Sequence, residues 1–340
     1  MGHQNKIKGE NIMGLSRLLG TAALVVAAMM PGLANAQTFR LGHHHAVGGA
    51  ADLAANHFAE LVGEMSDGRI TIRVFPAAQL GQEREAYDLV NQGAVDISIT
   101  STGIIDSAYA PMSITSLPFV FRDWEHAMDA FAGEFGQRLT DGLREASNTE
   151  VLGYFGLGFR DLLFTADTPP TSMAEMDGMT IRSPESYVFI RMFELMGARP
   201  TPVTWGEVYT AMQTGVAEGL DSPPATALDM HFEEVTGSLL KTGHMFGAML
   251  FAMNKQKFEA LSEDDQALMK EAGLQTTLWL DQDVSIPAEE AAYDRLTEAG
   301  VTVADPADPQ EFRDAMAPLI EEIRARGDGA AELLDLLAAQ

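Results

Sequence analysis

Leu89-Val90-Asn91-Gln92-Gly93 leads into Val95-Asp96-Ile97-Ser98, and the pattern returns in Ala211-Met212-Gln213-Thr214-Gly215, which leads into Val216 and on to Leu220-Asp221-Ser222. In each copy an apolar helical end meets a glycine, the residue that most readily takes the backbone of a helix stop. A strand follows and ends in small polar groups. Strands fed by helices in this way build α/β sheets, whose carboxyl ends line the crevice where open sheets bind ligands. The echo predicts two halves that present strand ends to a shared crevice.

The rest of the chain extends the alternation. A strand is expected over 39–42 and another, with period two, over 70–75. Ala54, Phe58, Leu61, Val62 and Met65 recur at helical spacing and predict an amphipathic helix over 51–65. Residues 84–92 form a helix stopped by Gly93, after which Val95, Ile97 and Ile99 alternate with Asp96, Ser98 and Thr100. The pattern restarts with strands over 151–154 and 180–182. Phe189, Met192, Phe193 and Met196 share one helical face and read as core, not as a cofactor box. Ser262 with Asp265 has the spacing of a capping box opening a helix towards Asp281, and Pro287 should interrupt or kink the chain beyond it. A short strand over 301–303 and a final amphipathic helix over 310–325 complete the pattern. Strands and helices in alternation predict mostly parallel sheets covered on both faces.

The N-terminus suggests the compartment. Lys6, Lys8 and Arg17 precede an apolar run over 18–30, then Pro31-Gly32, and Ala34-Asn35-Ala36 offers small residues at a cleavage site. This is the layout of a secretory leader over 1–36, with Gln37 as the first mature residue and Met13 as an alternative start. The run is too short to span a membrane. The mature part is long enough for two lobes. The 340-residue chain has 22 Lys and Arg against 49 Asp and Glu, a net charge of −27. So acidic a surface argues against nucleic acid or an anionic membrane as partner. An anionic ligand would need a few local cations, which is feasible because salt screens charges beyond about 8 Å. Cysteine is absent, which excludes disulfides, thiol catalysis and thiolate-bound metals.

The catalytic inventory is thin. No G-x-S-x-G elbow, Walker loop or H-E-x-x-H helix occurs, and Gly153, Gly156 and Gly158 are wrongly spaced for a dinucleotide fingerprint. His43-His44-His45 cannot all share one face of a strand; they read as solvated or loop-capping groups, as one ligand contact, or as a His43/His45 metal pair lacking further ligands. Arg160 follows an apolar, Gly-rich strand over 151–159, and Arg182 ends the short strand before Ser183-Pro184. A guanidinium at an apolar strand end suits bidentate pairing with a carboxylate, at about 1.5–3 kcal/mol per charge-assisted bond. The alternative for each is an ion pair with a structural acid.

The stretch Gly197-Ala198 with Pro202, and Trp205-Gly206-Glu207-Val208-Tyr209-Thr210-Ala211-Met212-Gln213-Thr214-Gly215-Val216-Ala217-Glu218-Gly219-Leu220-Asp221-Ser222-Pro223, resembles the signature of DctP-type binding proteins of TRAP (tripartite ATP-independent periplasmic) transporters. Ile181-Arg182-Ser183-Pro184 is similar to that family's arginine motif. Gln79-Leu80-Gly81 and Leu117-Pro118-Phe119 resemble its landmarks in the first lobe, and the likeness spans 38–325. The resemblance implies a two-lobe periplasmic binding protein fold with mixed sheets, hinge strands and a long helix shared by both lobes. On that pattern 37–159 with 248–287 form lobe I, and 160–247 with 288–340 form lobe II.

It implies further that Arg182 clamps a carboxylate, that Arg160 is a second arginine of the site, and that Trp205 covers the ligand. Asp221 and Ser222 fall on an acid–Asn pair of relatives; Ser for Asn trades an amide for one hydroxyl. Glu83, His44 and Ser101 fall where relatives meet the distal end of the solute. Ser101 stands where sialic-acid binders carry an acid, which argues against an amino-sugar tail. The expected protein is a periplasmic monomer without cofactor that passes a small organic acid to TRAP membrane subunits. A uronate or aldonate is favoured over other hydroxy, oxo or aromatic acids. An ABC-type binding protein and a sugar-acid enzyme using Glu83 and Asp221 are the alternatives.

Overall fold

The computed structural model describes Met1, Gly2 and 37–340; the expected leader over 1–36 otherwise lies outside the described residues. Thr38–Gln340 forms one compact unit. Among the described residues nine strands make one sheet: β1 Gln37–Gly42, β2 Ile70–Phe75, β3 Ile97–Ser101, β4 Thr149–Phe164, β5 Thr180–Ser183, β6 Arg199–Pro202, β7 Gly219–Ser222, β8 Ser238–Asn254 and β9 Thr302–Ala304. Their order is β2-β1-β3-β8-β4-β7-β5-β6, with β9 also on β8.

The sheet is mixed, as the family resemblance implies, where helix–strand alternation alone suggested mostly parallel pairing. β1/β3, β5/β6, β5/β7 and β8/β9 are parallel, whereas β3/β8, β4/β8 and β4/β7 are antiparallel. The antiparallel centre arises because β4 and β8, of 16 and 17 residues, traverse the whole sheet. One end of β8 pairs with β3, and the other end of the β4–β8 pair carries β7 and β9. Their shared register shifts between Val151 and Gly153, Gly156 and Phe159, and Arg160 and Leu162. Such irregularities bend a strand pair and increase its twist.

Helices form where the apolar spacing places them. Helix Ala50–Met65 buries Ala54, Phe58 and Val62 against Ile97, Phe251 and Met269. Each large side chain so buried contributes about 1.5–3 kcal/mol. In helix Tyr187–Leu195, Phe189, Met192 and Phe193 face the core, as does the following Met196. On β3 both alternating sets are buried, Ser98 and Thr100 as well as Ile97 and Ile99, because that strand is interior. A third core, built on Val208, Met212, Leu220, Phe232 and Leu296, packs around β7. After Pro309–Arg324 a further helix, Ala330–Ala338, buries Leu333, Leu334 and Leu337 and packs on Glu134–Ala146, so 310–325 is not the last helix.

Ser262 caps helix Glu263–Trp279 by accepting from the Asp265 N–H at 3.1 Å. The helix runs through a π-helical stretch, Leu280–Ser285, into Ile286–Glu298, and Pro287 sits in the first turn of that last part. Proline has no N–H for the carbonyl one turn back, and the wide turn absorbs the defect. The first part of this rod packs on Ala50–Met65 and the last on Pro224–Asp229. Two acids, buried Asp281 and half-buried Glu289, join it to the irregular part of β4: Asp281 Oδ1 accepts from the Gly156 N–H at 2.9 Å, and Glu289 Oε1 from the Phe159 N–H at 2.6 Å. Glu289 also accepts from the Trp124 indole. Gly156 itself admits no side chain, since a Cβ would lie 2.4 Å from the Phe246 and Trp124 rings.

Burial pushes the Asp281 carboxyl up to about 7, against the bond from Gly156. An acid held above its unfolded value of 3.8 favours the fold below that value, and this contribution fades as pH rises towards 7. Asp281→Asn keeps the acceptor and loses the titration. Its stability relative to wild type is therefore expected to rise by on the order of 3 kcal/mol from pH 4 to pH 8. Urea melts at both pH values measure this, and an equal offset at the two would contradict it.

Candidate functional site

Four parallel-strand ends deliver the polar groups of one cleft. His44 and His45 follow β1, Ser101 closes β3, Arg182 lies near the end of β5, and Pro223 follows β7. Arg160 comes from β4 beside its register shift, Glu83 from the first turn of helix Glu83–Asn91, and Trp205 from the turn after β6. The cleft spans about 570 Å³ of space between these residues, part of it open to solvent. Leu157, Phe189 and the stretch from Met245 to Met249 supply its apolar wall.

Arg182 is 3% exposed and has no protein carboxylate within 4 Å among the described residues. Its Nε donates to the Val203 carbonyl at 2.9 Å, and the guanidinium lies 5.4 Å from the Trp205 ring centre. Burial pulls its pKa down to about 10, with Arg160 adding to the fall and Asp221 and Glu83 opposing it. The group stays cationic at neutral pH. A buried cation without a counter-ion is costly, so the site is built to receive an anion.

Arg160 differs. Its Nε donates to Asp221 Oδ2 at 2.5 Å and its Nη2 to the Asp221 carbonyl at 2.7 Å, while its guanidinium lies 5.2 Å from the centre of the Phe189 ring. Burial would raise the Asp221 pKa, yet Arg160 and His244 hold it well below the usual carboxylate range. Asp221 and Ser222 are fully buried and stand behind the cleft wall, not in it; the Ser222 hydroxyl donates to the Pro223 carbonyl at 3.1 Å. The six other residues singled out, Arg182, Arg160, Trp205, Glu83, His44 and Ser101, converge on the cleft.

The histidines overturn their solvated reading: His43, His44 and His45 are 2%, 7% and 8% exposed. His43 Nε2 lies 3.0 Å from Asp52 Oδ1 and anchors the loop. His44 and His45 both line the cleft, because the chain leaves extended geometry after Gly42 and strand alternation no longer separates them. Their rings sit 4.3 Å apart, and His45 lies 5.8 Å from Trp205. Burial, then the neighbouring His43, brings His44 down to about 3; burial, then His44, holds His45 well below the usual range. Both are neutral at pH 7. His44 Nδ1, His45 Nε2 and Trp205 Nε1 are buried without a protein partner and can pair with a ligand. Glu83 Oε1 accepts from the Ser101 N–H at 2.6 Å, and Oε2 stands 3.6 Å from His44 Nε2. Sequence reasoning did not assign His45, Ser116, Thr226 or the apolar wall to the site; the run of three histidines was the signal for His45.

Residues 41–326 match the DctP family, bacterial extracellular solute-binding proteins of family 7. The chain belongs to that family. A solute-binding protein of Roseobacter denitrificans is 32% identical over 262 residues, 77% of this chain and 78% of that one. Among solved structures, a TRAP periplasmic solute binding protein from Roseobacter denitrificans with bound β-D-glucuronate superposes with a TM-score of 0.85 at 27% identity, over 89% of this chain and 100% of that one. A TRAP periplasmic solute binding protein from Sulfitobacter sp. with bound β-D-galacturonate gives 0.84 at 27% identity, with the same coverage. As a DctP-family protein, the chain is an extracytoplasmic solute-binding protein of the TRAP class.

Acidification should load the two cleft histidines against the fold. A histidine whose folded pKa is depressed favours the fold above 6.5, and that contribution is lost as pH falls below 6.5. The melting temperature of the DctP-family chain should therefore drop from pH 7 to pH 5, and His45→Gln should flatten the drop. Parallel Tm profiles for the two proteins would contradict this.

Proposed function

We propose that the chain is the periplasmic binding component of a TRAP transporter and captures a sugar acid, a hexuronate or an aldonate, by its carboxylate. The observation that carries this reading is Arg182: a buried guanidinium with an open fork in the wall of a cleft, in a chain whose carboxylates outnumber its cations more than two to one. A carboxylate there would accept charge-assisted bonds from a donor array already held by Val203 and Trp205. Arg160, partly neutralised by Asp221, would supply the second contact. Neutral His44 and His45, Ser101 and Glu83 suit hydroxyl groups, which need donors and acceptors but no net charge. The uronates bound by the two structural relatives support that class.

Two lobes, 37–159 with 248–287 and 160–247 with 288–340, would close over the solute by bending at the irregular part of β4–β8 and at the π-helical turn. Closure would expel water and strengthen the ion pair at Arg182. A leader over 1–36, removed at Ala36/Gln37, would deliver the protein to the periplasm, where it hands the solute to the membrane subunits as a monomer. It acts by binding and not by turnover: of the two acids an enzyme would use, Asp221 is locked behind the wall by Arg160.

Calorimetric titration with D-glucuronate, D-galacturonate, D-gluconate and D-glucose tests the reading. The acids should bind and glucose should not. Arg182→Ala should cost about 2–4 kcal/mol of affinity, and Arg182→Lys should recover little, since a point charge replaces a planar fork. Unchanged affinity in either variant, or glucose binding as tightly as glucuronate, refutes the clamp.

A further inference from the structure

Phe159 and Asp161 flank Arg160 on β4, and successive side chains of a strand point to opposite faces. The strand that turns Arg160 into the ligand cleft thus turns its two neighbours into a second cleft, of about 730 Å³, whose floor includes Lys241, Thr242 and Gly243 of β8. Three cations line it: Arg122, Lys241 and Arg313. None has a carboxylate within 4 Å among the described residues.

Lys241 Nζ rests 4.4 Å from the centre of the Tyr293 ring, and the Arg313 guanidinium 4.5 Å from that of Phe119. A cation on a ring face is stabilised by the quadrupole while its other N–H donors stay open. Arg122 Nη1 lies 3.3 Å from His126 Nε2, yet this is no hydrogen bond. The Leu337 carbonyl, 3.1 Å from Nε2, can only accept, so Nε2 carries the proton. Nδ1 correspondingly accepts from the Arg122 backbone N–H at 3.1 Å. Two donors face each other, and the Arg122 fork stays free.

The lining also holds two acids. The Asp161 carboxylate is occupied by the Gly243 N–H and the Tyr293 hydroxyl, each at 2.8 Å, and Asp305 is exposed. In a chain this acidic, three cations have gathered in one concavity and, among the described residues, pair with no carboxylate. Unlike the buried Arg182, Arg122 and Arg313 are exposed and Lys241 is half-buried, so this cleft is an open one that an anion can enter from solvent.

We propose that this cleft is a second anion site, taking a small multivalent oxyanion such as inorganic phosphate or a di- or tricarboxylate. Three donors from three segments of chain match the several charged oxygens of such a group. A monocarboxylate sugar acid, by contrast, satisfies the single free fork of the first cleft.

The full chain is titrated with inorganic phosphate and, separately, with citrate at constant ionic strength, with binding read by phosphorus NMR for the first and calorimetry for the second. One saturable site is expected for at least one anion in wild type and in Arg182→Ala, weakened about fivefold or more in Lys241→Gln and in Arg313→Gln. Both cleft substitutions lie at solvent-accessible side chains, and thermal melts confirm that the variants fold. Absence of saturable binding by either anion overturns the proposal. So does binding that survives both cleft substitutions, whether or not Arg182→Ala abolishes it; loss with Arg182→Ala would place the anion in the ligand cleft. The outcome is independent of the sugar-acid reading, which glucuronate titration tests alone.

Discussion

β4 and β8 lie side by side through the middle of the sheet, and every other strand is attached directly or through a neighbour to one of them. A perfectly regular pair of this length would be a stiff ribbon. Three register shifts break that regularity and release strand N–H groups from the ladder. A buried polar group left unpaired costs about 1–3 kcal/mol. Asp281, within the π-helical turn, and Glu289, just beyond it, take the Gly156 and Phe159 N–H groups and so bind the bent strand to the helix. Local irregularity in two elements becomes one joint.

Around that joint the protein is strongly acidic, and a distant anion feels repulsion until salt screens it. Recognition of an anion would therefore rest on short-range groups inside concavities. Two arginines reach the ligand cleft with different status: Arg160 is tied to Asp221, which His244 approaches from the same side at 3.5 Å, whereas Arg182 is tied only to a carbonyl and an indole. Removing Arg160 would leave Asp221 buried and uncompensated, a structural loss. Removing Arg182 leaves no protein anion within 4 Å behind among the described residues, so its loss spares the fold.

The legible parts were those where one face of an element is wet. Helix Ala50–Met65 and strand Ile70–Phe75 show their periods because burial alternates with exposure. β8 is buried on both faces over most of its length, so its apolar run carries no period, and with it went the antiparallel centre of the sheet. The helices Trp124–Ala132 and Glu134–Ala146, which pack with each other and over β4, were also not assigned. At the site, Arg182, Arg160 and Trp205 stood out as cations and an indole at strand ends. His45 did not, because strand alternation places it opposite His44, and only the bend after Gly42 turns both rings inward.

The amino-acid sequence alone determined the α/β class, the acidic character that forces recognition onto local cations, and the family, since these depend on composition, period and short motifs. Tertiary structure decided which charges are free. Whether Arg160 finds Asp221, or Arg182 finds nothing, depends on chain segments far apart in sequence that the sheet brings within 3 Å or keeps beyond 4 Å. A Coulomb interaction is set by separation and burial, and neither is written along the chain.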